Sequence, residues 1–367
     1  MISIIPNPTL CIKNLIAGNG DCVLISFRNQ TEGTSNILID GGNGIANYKE
    51  HIQPVLEQVV RNGQKLDLVV ITHIDQDHIK GIVYLTRDLK KSESTIQPKD
   101  IVKYWFNSAL NEKIYQVSPE QFDVSAAEMK ELEEFLHKQP DVKWDIKDKI
   151  ESPWVKNING AILSVLSPNT NVLTQFNETY NPNDIGSYSN DYDHSLETLY
   201  TAEKVRLKNN DEDLDDKLEN ATSIAFLLEH KKNSILYLGD GIPAVVDSAI
   251  EELLNKRNLE RLTLDVVKLS HHASRKSLSF KLLKLIDCKN FVICANGKKA
   301  RLPNKATFAK ILCHPHRNID DHIKFHFNYP DFSKLLKFTD QEKKDLNFSC
   351  ADANFEHGYC LTLPIKP

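Results

Sequence analysis

The sequence predicts an α/β layered fold, and three observations carry the prediction. Short apolar runs alternate with segments of helical spacing along most of the 367 residues, the pattern of layered α/β domains. Several of the apolar runs end on Asp or His. One of them, Leu66 to Ile71, is followed at once by Thr72-His73-Ile74-Asp75-Gln76-Asp77-His78, where four potential metal ligands fall within six positions. Open α/β sheets place their chemistry at the C-terminal ends of strands.

Taken in order, Leu10 to Ile16 and Cys22 to Phe27 read as strands around the turn Ala17-Gly18-Asn19-Gly20-Asp21. Asn36 to Ile39 is a third strand and ends on Asp40. Tyr48 to Asn62 reads as a helix, because Ile52, Val55, Leu56, Val59 and Val60 recur at helical spacing. The Leu66 to Ile71 strand and a helix from Ile79 to Leu89 follow. Ile101 to Asn107 reads as a strand. Ser118 to His137 reads as a helix opened by a capping box. Ala161 to Leu166 is another strand. Residues 169–219 are rich in Asn, Asp and Lys and are expected to be a long surface insertion. Ser223 to Leu228 and Ser234 to Leu238 form a strand pair, the second ending at Asp240. A helix (Val245 to Lys256), a strand (Leu264 to Leu269) and the loop Ser270-His271-His272-Ala273-Ser274 come next, then a helix and a strand, Asn290 to Cys294. Residues 311–367 read as a C-terminal extension. No linker divides the chain, so 1–367 is expected to be one domain.

Composition narrows the function. A formal net charge of -5 provides no global basic field for nucleic acid, although local cations or metals can still hold phosphates. No apolar run reaches transmembrane length, and residues 1–6 lack the pattern of a signal peptide. Seven Cys stand singly, which suits reduced thiols and a cytoplasmic location better than a disulfide framework.

An Asp at one strand end is an ordinary turn residue. Here Asp40 ends one strand, the His73–His78 run follows a second, Asp240 ends a third, and His271-His272 follow a fourth. Carboxylates and imidazoles packed so closely need positive charge between them, and two divalent ions meet that need.

These segments resemble the metallo-β-lactamase fold superfamily, with its H-x-H-x-D-H run and later Asp and His ligands. Within it the chain is most similar to the hydrolase domain of the ComEC DNA-uptake family and its stand-alone relatives. Ala17 to Cys22 resembles that group's V-G-Q-G-D-A turn. Thr72 to Gly81 resembles its variant with Asp at the second His. Leu236 to Asp240 resembles its L-L-T-G-D, and Val267 to Ser274 its L-K-V-x-H-H-G-S.

The resemblance implies a four-layer αββα sandwich with two divalent metal ions at one edge. His73 and Asp75 would bind the first metal, Asp77 and His78 the second, and Asp240 would bridge them. One of His271 and His272 would complete the second site; His271 is the expected ligand and His272 a candidate catalytic acid. A two-metal-activated hydroxide would be the nucleophile, with Asp77 helping to orient it. Asp40 and Asn220 would be supporting residues. Two departures stand out: no His ends the Ala161 to Pro168 segment, and Leu302 stands where the group has a later His. His194 lies in the polar stretch and is read as solvent-exposed.

Asp75 in place of a second His makes the first site harder, which shifts its preference from zinc toward manganese or magnesium, with zinc still an option; the expected cofactors are two divalent ions, manganese or zinc, with magnesium possible. Ser274, Arg275 and Lys276 are candidate phosphate contacts. The expected function is a metal-dependent phosphodiesterase or nuclease acting on DNA. Two alternatives stand beside it: a hydrolase of a small phosphodiester or lactone, and a degenerate binding subunit of a bacterial defence complex, with an ATPase as partner. His322 and His326, at i and i+4, could share a helix face with a metal. The aromatic residues around them suit a packed segment better. Lys298, Lys299 and Arg301 form a small basic cluster, read as a solvated turn.

Overall fold

The structure is a computed structural model that describes residues 10–108, 124–139, 143–144, 149–180, 211, 213–298 and 302–364. The Ser118–Gln121 capping box, His194, Lys299 and Arg301 lie outside these residues.

Two sheets face each other. The first holds β1 (Leu10–Leu15), β2 (Val23–Arg28), β3 (Thr34–Ile39), β4 (Leu68–Ile71) and β5 (Tyr104–Phe106). The second begins with β6 (Val155–Ile158), β7 (Ala161–Ser167), β8 (Ala225–His230) and β9 (Asn233–Tyr237). A two-stranded pair, β10 (Leu262–Leu264) and β12 (Ile286–Cys288), flanks it, with β11 (Val266–Lys268) between the two in sequence. The remaining strands are β13 (Asn290–Ile293), β14 (Ile323–Phe327), β15 (Phe348–Ala351) and β16 (Gly358–Leu363). The first sheet runs β16-β1-β2-β3-β4-β5 and the second β15-β14-β13-β11-β9-β8-β7-β6.

Side chains alternate between the two faces of each strand, as the pleat requires. Val23, Ile25 and Phe27 of β2 enter the core between the sheets, where they meet Leu163, Phe226 and Tyr237 of the second sheet. Leu24 points the other way, into a second core under helices α1 (Gln53–Arg61), α2 (Gln76–Leu89) and α3 (Val124–His137), which supply Leu56, Ile82 and Leu132. A third core lies outside the second sheet. There Leu227, Leu236 and Val267 pack under α4 (Pro243–Arg257), α5 (Phe280–Leu285) and α6 (Lys305–Cys313) through Ile250, Leu282 and Phe308. The layers are therefore helix, sheet, sheet, helix, the expected αββα sandwich.

Two details differ from the sequence reading. The expected helix over 48–62 is interrupted: Tyr48–Ile52 winds as a π-helix before α1. The expected strand over 264–269 is two, β10 and β11, each with different neighbours. Asp265 makes the break and accepts the Ser234 backbone N–H on Oδ2 at 2.9 Å. His322 and His326 are on no helix; His326 lies in β14. The 311–367 stretch supplies strands to both sheets, with β16 pairing antiparallel along β1 and β14 parallel to β13. Among the described residues no helix is long and apolar enough to cross a membrane.

Parallel pairing sets the position of the site. β3 runs parallel to β4, and β9 parallel to β11. Asp40 and the His73–His78 run therefore leave the first sheet at one end, as Asp240 and His271 leave the second. A hydrogen bond from Ile224 N to Thr72 O, 2.9 Å, ties the two sheets together at that end.

Candidate metal centre

The loop after β4 is held from behind. Asp40, fully buried, accepts the Thr72 backbone N–H and hydroxyl, both at 2.8 Å. It also takes the His78 Nδ1 hydrogen at 2.8 Å. The Thr72 hydroxyl has spent its proton on Asp40, so it accepts from His73 Nδ1 at 3.0 Å. Both rings are thus fixed with Nδ1 outward and Nε2 inward. The loops also need glycine for close approach. A Cβ on Gly20 would fall 1.7 Å from the Asp77 carbonyl oxygen, so the 17–21 turn packs directly on the ligand run. From that turn Asn19 donates its side-chain amide to Asp77 Oδ2 at 3.1 Å.

The second sheet supplies the facing half. Asp240 is placed by Ser223, whose Oγ accepts the Asp240 N–H at 2.9 Å. His271, His272 and Ala273 all have positive φ, at 45°, 52° and 64°. Three successive non-glycine residues in this region are strained, on the order of 1–2 kcal/mol each, and the surroundings must hold them. Ala273 O accepts Thr307 Oγ1 at 2.7 Å and Asn304 N at 3.2 Å. The left-handed turn presents both adjacent rings to the centre. His272 donates Nδ1–H to the Cys294 carbonyl at 2.9 Å. His271 Nδ1 lies 3.4 Å from Asp215 Oδ2.

Four imidazoles therefore share one arrangement, with Nδ1 held outside and Nε2 turned inward. His78 Nε2 lies 3.4 Å from Asp240 Oδ2, His271 Nε2 3.9 Å and His73 Nε2 4.0 Å. His73 Nε2 is 3.7 Å from Asp75 Oδ2, and His272 Nε2 is 3.6 Å from Asp77 Oδ2. The buried Nε2 atoms of His73, His78 and His272, and Asp240 Oδ1, make no hydrogen bond. Unpaired buried acceptors are costly, and their convergence is the donor pattern of a metal site. His73, His78 and Asp240 place ligand atoms within 4.8 Å of one another, as do Asp77, His78 and His272. A third set, Asp21, Asp40 and His78, is already engaged: Asp21 ion-pairs with buried Lys268, and Asp40 is bonded as above.

The electrostatics agree with this geometry. Burial opposes charge on His78, yet Asp240 and Asp40 raise its pKa well above the ordinary imidazole value. Burial likewise opposes charge on His272, and Asp21 and Asp77 lift it to about 9. Burial would favour the neutral acid at Asp240, but His78 and His271 hold it well below the usual carboxylate range. The carboxylates thus draw positive charge to the centre. Divalent cations answer the same demand through lone pairs in place of protons, and nitrogen and oxygen donors suit them.

Asn220 stands at the centre's edge and donates to Asp215 Oδ2 at 2.7 Å. The sequence reading missed Asp215, which sits in the polar 169–219 stretch with a largely buried side chain. It also missed Asn19 and the Asp21–Lys268 pair. Asp21 Oδ1 lies 3.3 Å from His272 Nδ1. The candidate phosphate contacts are engaged within the chain. Ser274 is buried and its Oγ accepts from Lys276 N at 3.3 Å. Arg275 and Lys276 both pair with Asp213, at 3.3 and 3.1 Å.

A sequence model described as the metallo-beta-lactamase superfamily matches residues 15–150. No curated protein matches the chain. Among solved structures it is similar to the metallo-beta-lactamase fold protein YhfI from Bacillus subtilis, with 11% identity, 97% of this chain and 100% of that one covered, and a TM-score of 0.43. It is also similar to CmlA, a diiron beta-hydroxylase from Streptomyces venezuelae (9% identity, 98% and 55% covered, TM-score 0.39). A diphosphatase of the PhnP family is similar as well (15% identity, 82% and 90% covered, TM-score 0.38). The matched segment contains Asp40 and the whole His73–His78 run, so the likeness to the metallo-beta-lactamase superfamily covers the ligand-rich loop of the first sheet.

Proposed function

We propose that the chain is a metal-dependent phosphodiesterase with DNA as its substrate class. The observation that carries this reading is the convergence of four outward-anchored imidazoles on Asp240, with three buried Nε2 atoms left unpaired. His73 and Asp75 hold one metal position, and Asp77, His78 and His272 the other, with Asp240 between them. His272 serves as a ligand in this reading, because its Nδ1–H is committed to Cys294 O and its Nε2 faces Asp77. His271 faces Asp240 at nearly the distance of His73. It supplies the first position with the imidazole that the Ala161 to Pro168 segment lacks, and Asp215 orients it. Asp75, half-exposed, makes that position harder and favours manganese over zinc.

Divalent cations bound there polarise a phosphoryl oxygen and lower the pKa of a water molecule. The chain's own residues fix the geometry. Asp40, Thr72, Cys294 O and Asp215 set each ring's tautomer, and Asn19 steers Asp77. Such outer partners typically matter by ~10–100-fold in metal affinity or activity.

The test is cleavage of end-labelled single- and double-stranded DNA by metal-stripped protein given manganese, magnesium or zinc, with Asp77→Ala alongside. Cleavage by the wild type that the variant lacks is the expected result. No cleavage under any metal sinks the DNA reading. One observation favours a second reading, a small phosphodiester: Asp213 already neutralises part of the Arg275–Lys276 charge that would grip a backbone. A chromogenic phosphodiester run in the same assay separates the two.

A further inference from the structure

Seven cysteines stand singly in the sequence, and the fold brings two of them together. Cys11 is the second residue of β1 and Cys360 the third of β16, the first and last of the described strands. The antiparallel register sets Cys11 opposite Thr362 and Lys13 opposite Cys360. The two cysteines are therefore diagonal neighbours on one face of the sheet, a spacing at which side chains reach each other. Both are free thiols, and their Sγ atoms are 3.0 Å apart. Closing that contact to a bond of about 2.05 Å takes a small shift, and β16, at the edge of its sheet, is placed to make it.

The two thiols are unequal. Cys11 is 1% exposed, whereas Cys360 is partly exposed. Asn354 fixes the Cys360 backbone, accepting its N–H at 2.7 Å and donating to its carbonyl at 2.9 Å. The Cys11 thiol, donating to Cys360, and Lys13 across the strand together hold Cys360 below the ordinary thiol value, at about 7, although burial opposes this. The same contact and deep burial push Cys11 up. Burial also raises Cys22, Cys288 and Cys294, and takes the partly exposed Cys350 to about 12. Since the thiolate is the nucleophile, Cys360 is the sulfur prepared to attack, and Cys11 the one in contact to resolve the product.

We propose that Cys11 and Cys360 form a peroxide-responsive dithiol, a modification site that closes into a disulfide tying the first strand to the last. The Cys360 thiolate attacks one peroxide oxygen and the O–O bond breaks. The sulfur keeps that oxygen as a sulfenic acid, and the other leaves as hydroxide, which takes a proton to become water. The Cys11 sulfur then attacks the Cys360 sulfur. The S–S bond forms, the S–OH bond breaks, and the hydroxide leaves with the Cys11 proton as a second water. The two thiols give up two electrons and the peroxide gains them. The residues joined are 349 positions apart, so the bond closes nearly the whole chain into a loop and restricts its unfolded state. Cys11 sits at the end of β1 away from the Ala17–Asp21 turn, and the latch does not depend on the phosphodiesterase reading.

The test is to expose the reduced full chain to hydrogen peroxide and read the product by free-thiol titration and by peptide mapping without reductant. Two of the seven thiols should disappear, a peptide linking Cys11 to Cys360 should form, and dithiothreitol should restore both thiols. The oxidised chain should melt a few degrees higher than the reduced one. Cys11→Ser should stop at a Cys360 sulfenic acid that dimedone captures, and Cys360→Ser should leave Cys11 unmodified. Cys350→Ser, the control at another partly exposed thiol, should form the link as the wild type does. The wild-type map decides the matter even where a variant folds poorly. Absence of the linked peptide from folded wild type, or a link that joins other cysteines first, overturns the proposal. Equal dimedone capture at Cys350 and Cys360 in Cys11→Ser overturns it as well.

Discussion

The chain has two histidine-rich regions, and they have opposite chemistry. At the metal centre, His78 and His272 are buried among carboxylates that raise their pKa values. In the C-terminal region, His326 is buried with Asn290 as its partner, 3.1 Å away. Burial, helped by nearby Lys324, pushes its pKa down to about 3. Burial and the nearby Arg261 take His314 to about 4. His322 is spent on Asn347 and Ser349 at 2.9 and 2.8 Å. Imidazoles become metal ligands where carboxylates converge with them and an outer partner holds Nδ1. Spacing in sequence does not decide it.

The largest effect that could break this contrast is expected from Asp240→Ala. It removes the one carboxylate that faces the Nε2 atoms of His73, His78 and His271 together, at 4.0, 3.4 and 3.9 Å, and should cost more than the ~10–100-fold typical of an outer partner. Metal analysis and calorimetric titration check it; retained metal binding would remove Asp240 from the centre. Asp40→Asn is next. It loosens His78 and Thr72 together and should lower metal affinity by ~10–100-fold with the fold intact. A variant that binds metal like the wild type would mean that Asp40 only braces the turn.

Acidity sharpens the comparison, because the two regions respond in different windows. Metal must displace protons from the raised rings at the centre. Affinity should therefore climb with pH through about 9, the value for His272. Manganese titrations at stepped pH test this, and a flat profile contradicts it. His326 behaves in the opposite sense. Its folded pKa lies below the ordinary 6.5, so its stabilising contribution is complete above 6.5 and is lost as pH falls toward about 3. His326→Gln should move acid unfolding, followed by circular dichroism, to lower pH. The smallest effect is expected from His322→Ala, which should leave metal affinity unchanged. A measurable loss would join the two regions.

What was legible in the sequence was local. The His73–His78 run is contiguous, and Asp40 and Asp240 each close an apolar strand, so their shared end followed from strand polarity. The αββα layering followed from the family resemblance and is visible in the three cores. Asp215 was not legible. It lies in a polar stretch without periodicity, and its partner His271 is 56 residues away. The pairing of β16 with β1 joins the two ends of the chain and has no signature in either segment alone. The split of 264–269 was hidden because Leu264, Val266, Val267 and Leu269 read as one apolar strand, and Asp265 breaks it by bonding to Ser234. The aromatic residues around His322 and His326 outweighed their i, i+4 spacing in favour of a packed segment, and the structure agrees. β14 puts Phe325 and Phe327 into the outer core and His326 on the opposite face, against Tyr359.

The most direct measurement is a manganese titration of the metal-stripped protein with protons counted as they leave. The convergent-imidazole centre predicts uptake of about two equivalents, with proton release, and loss of both in Asp240→Ala. No uptake, or uptake that is the same in the variant and releases no protons, would contradict it.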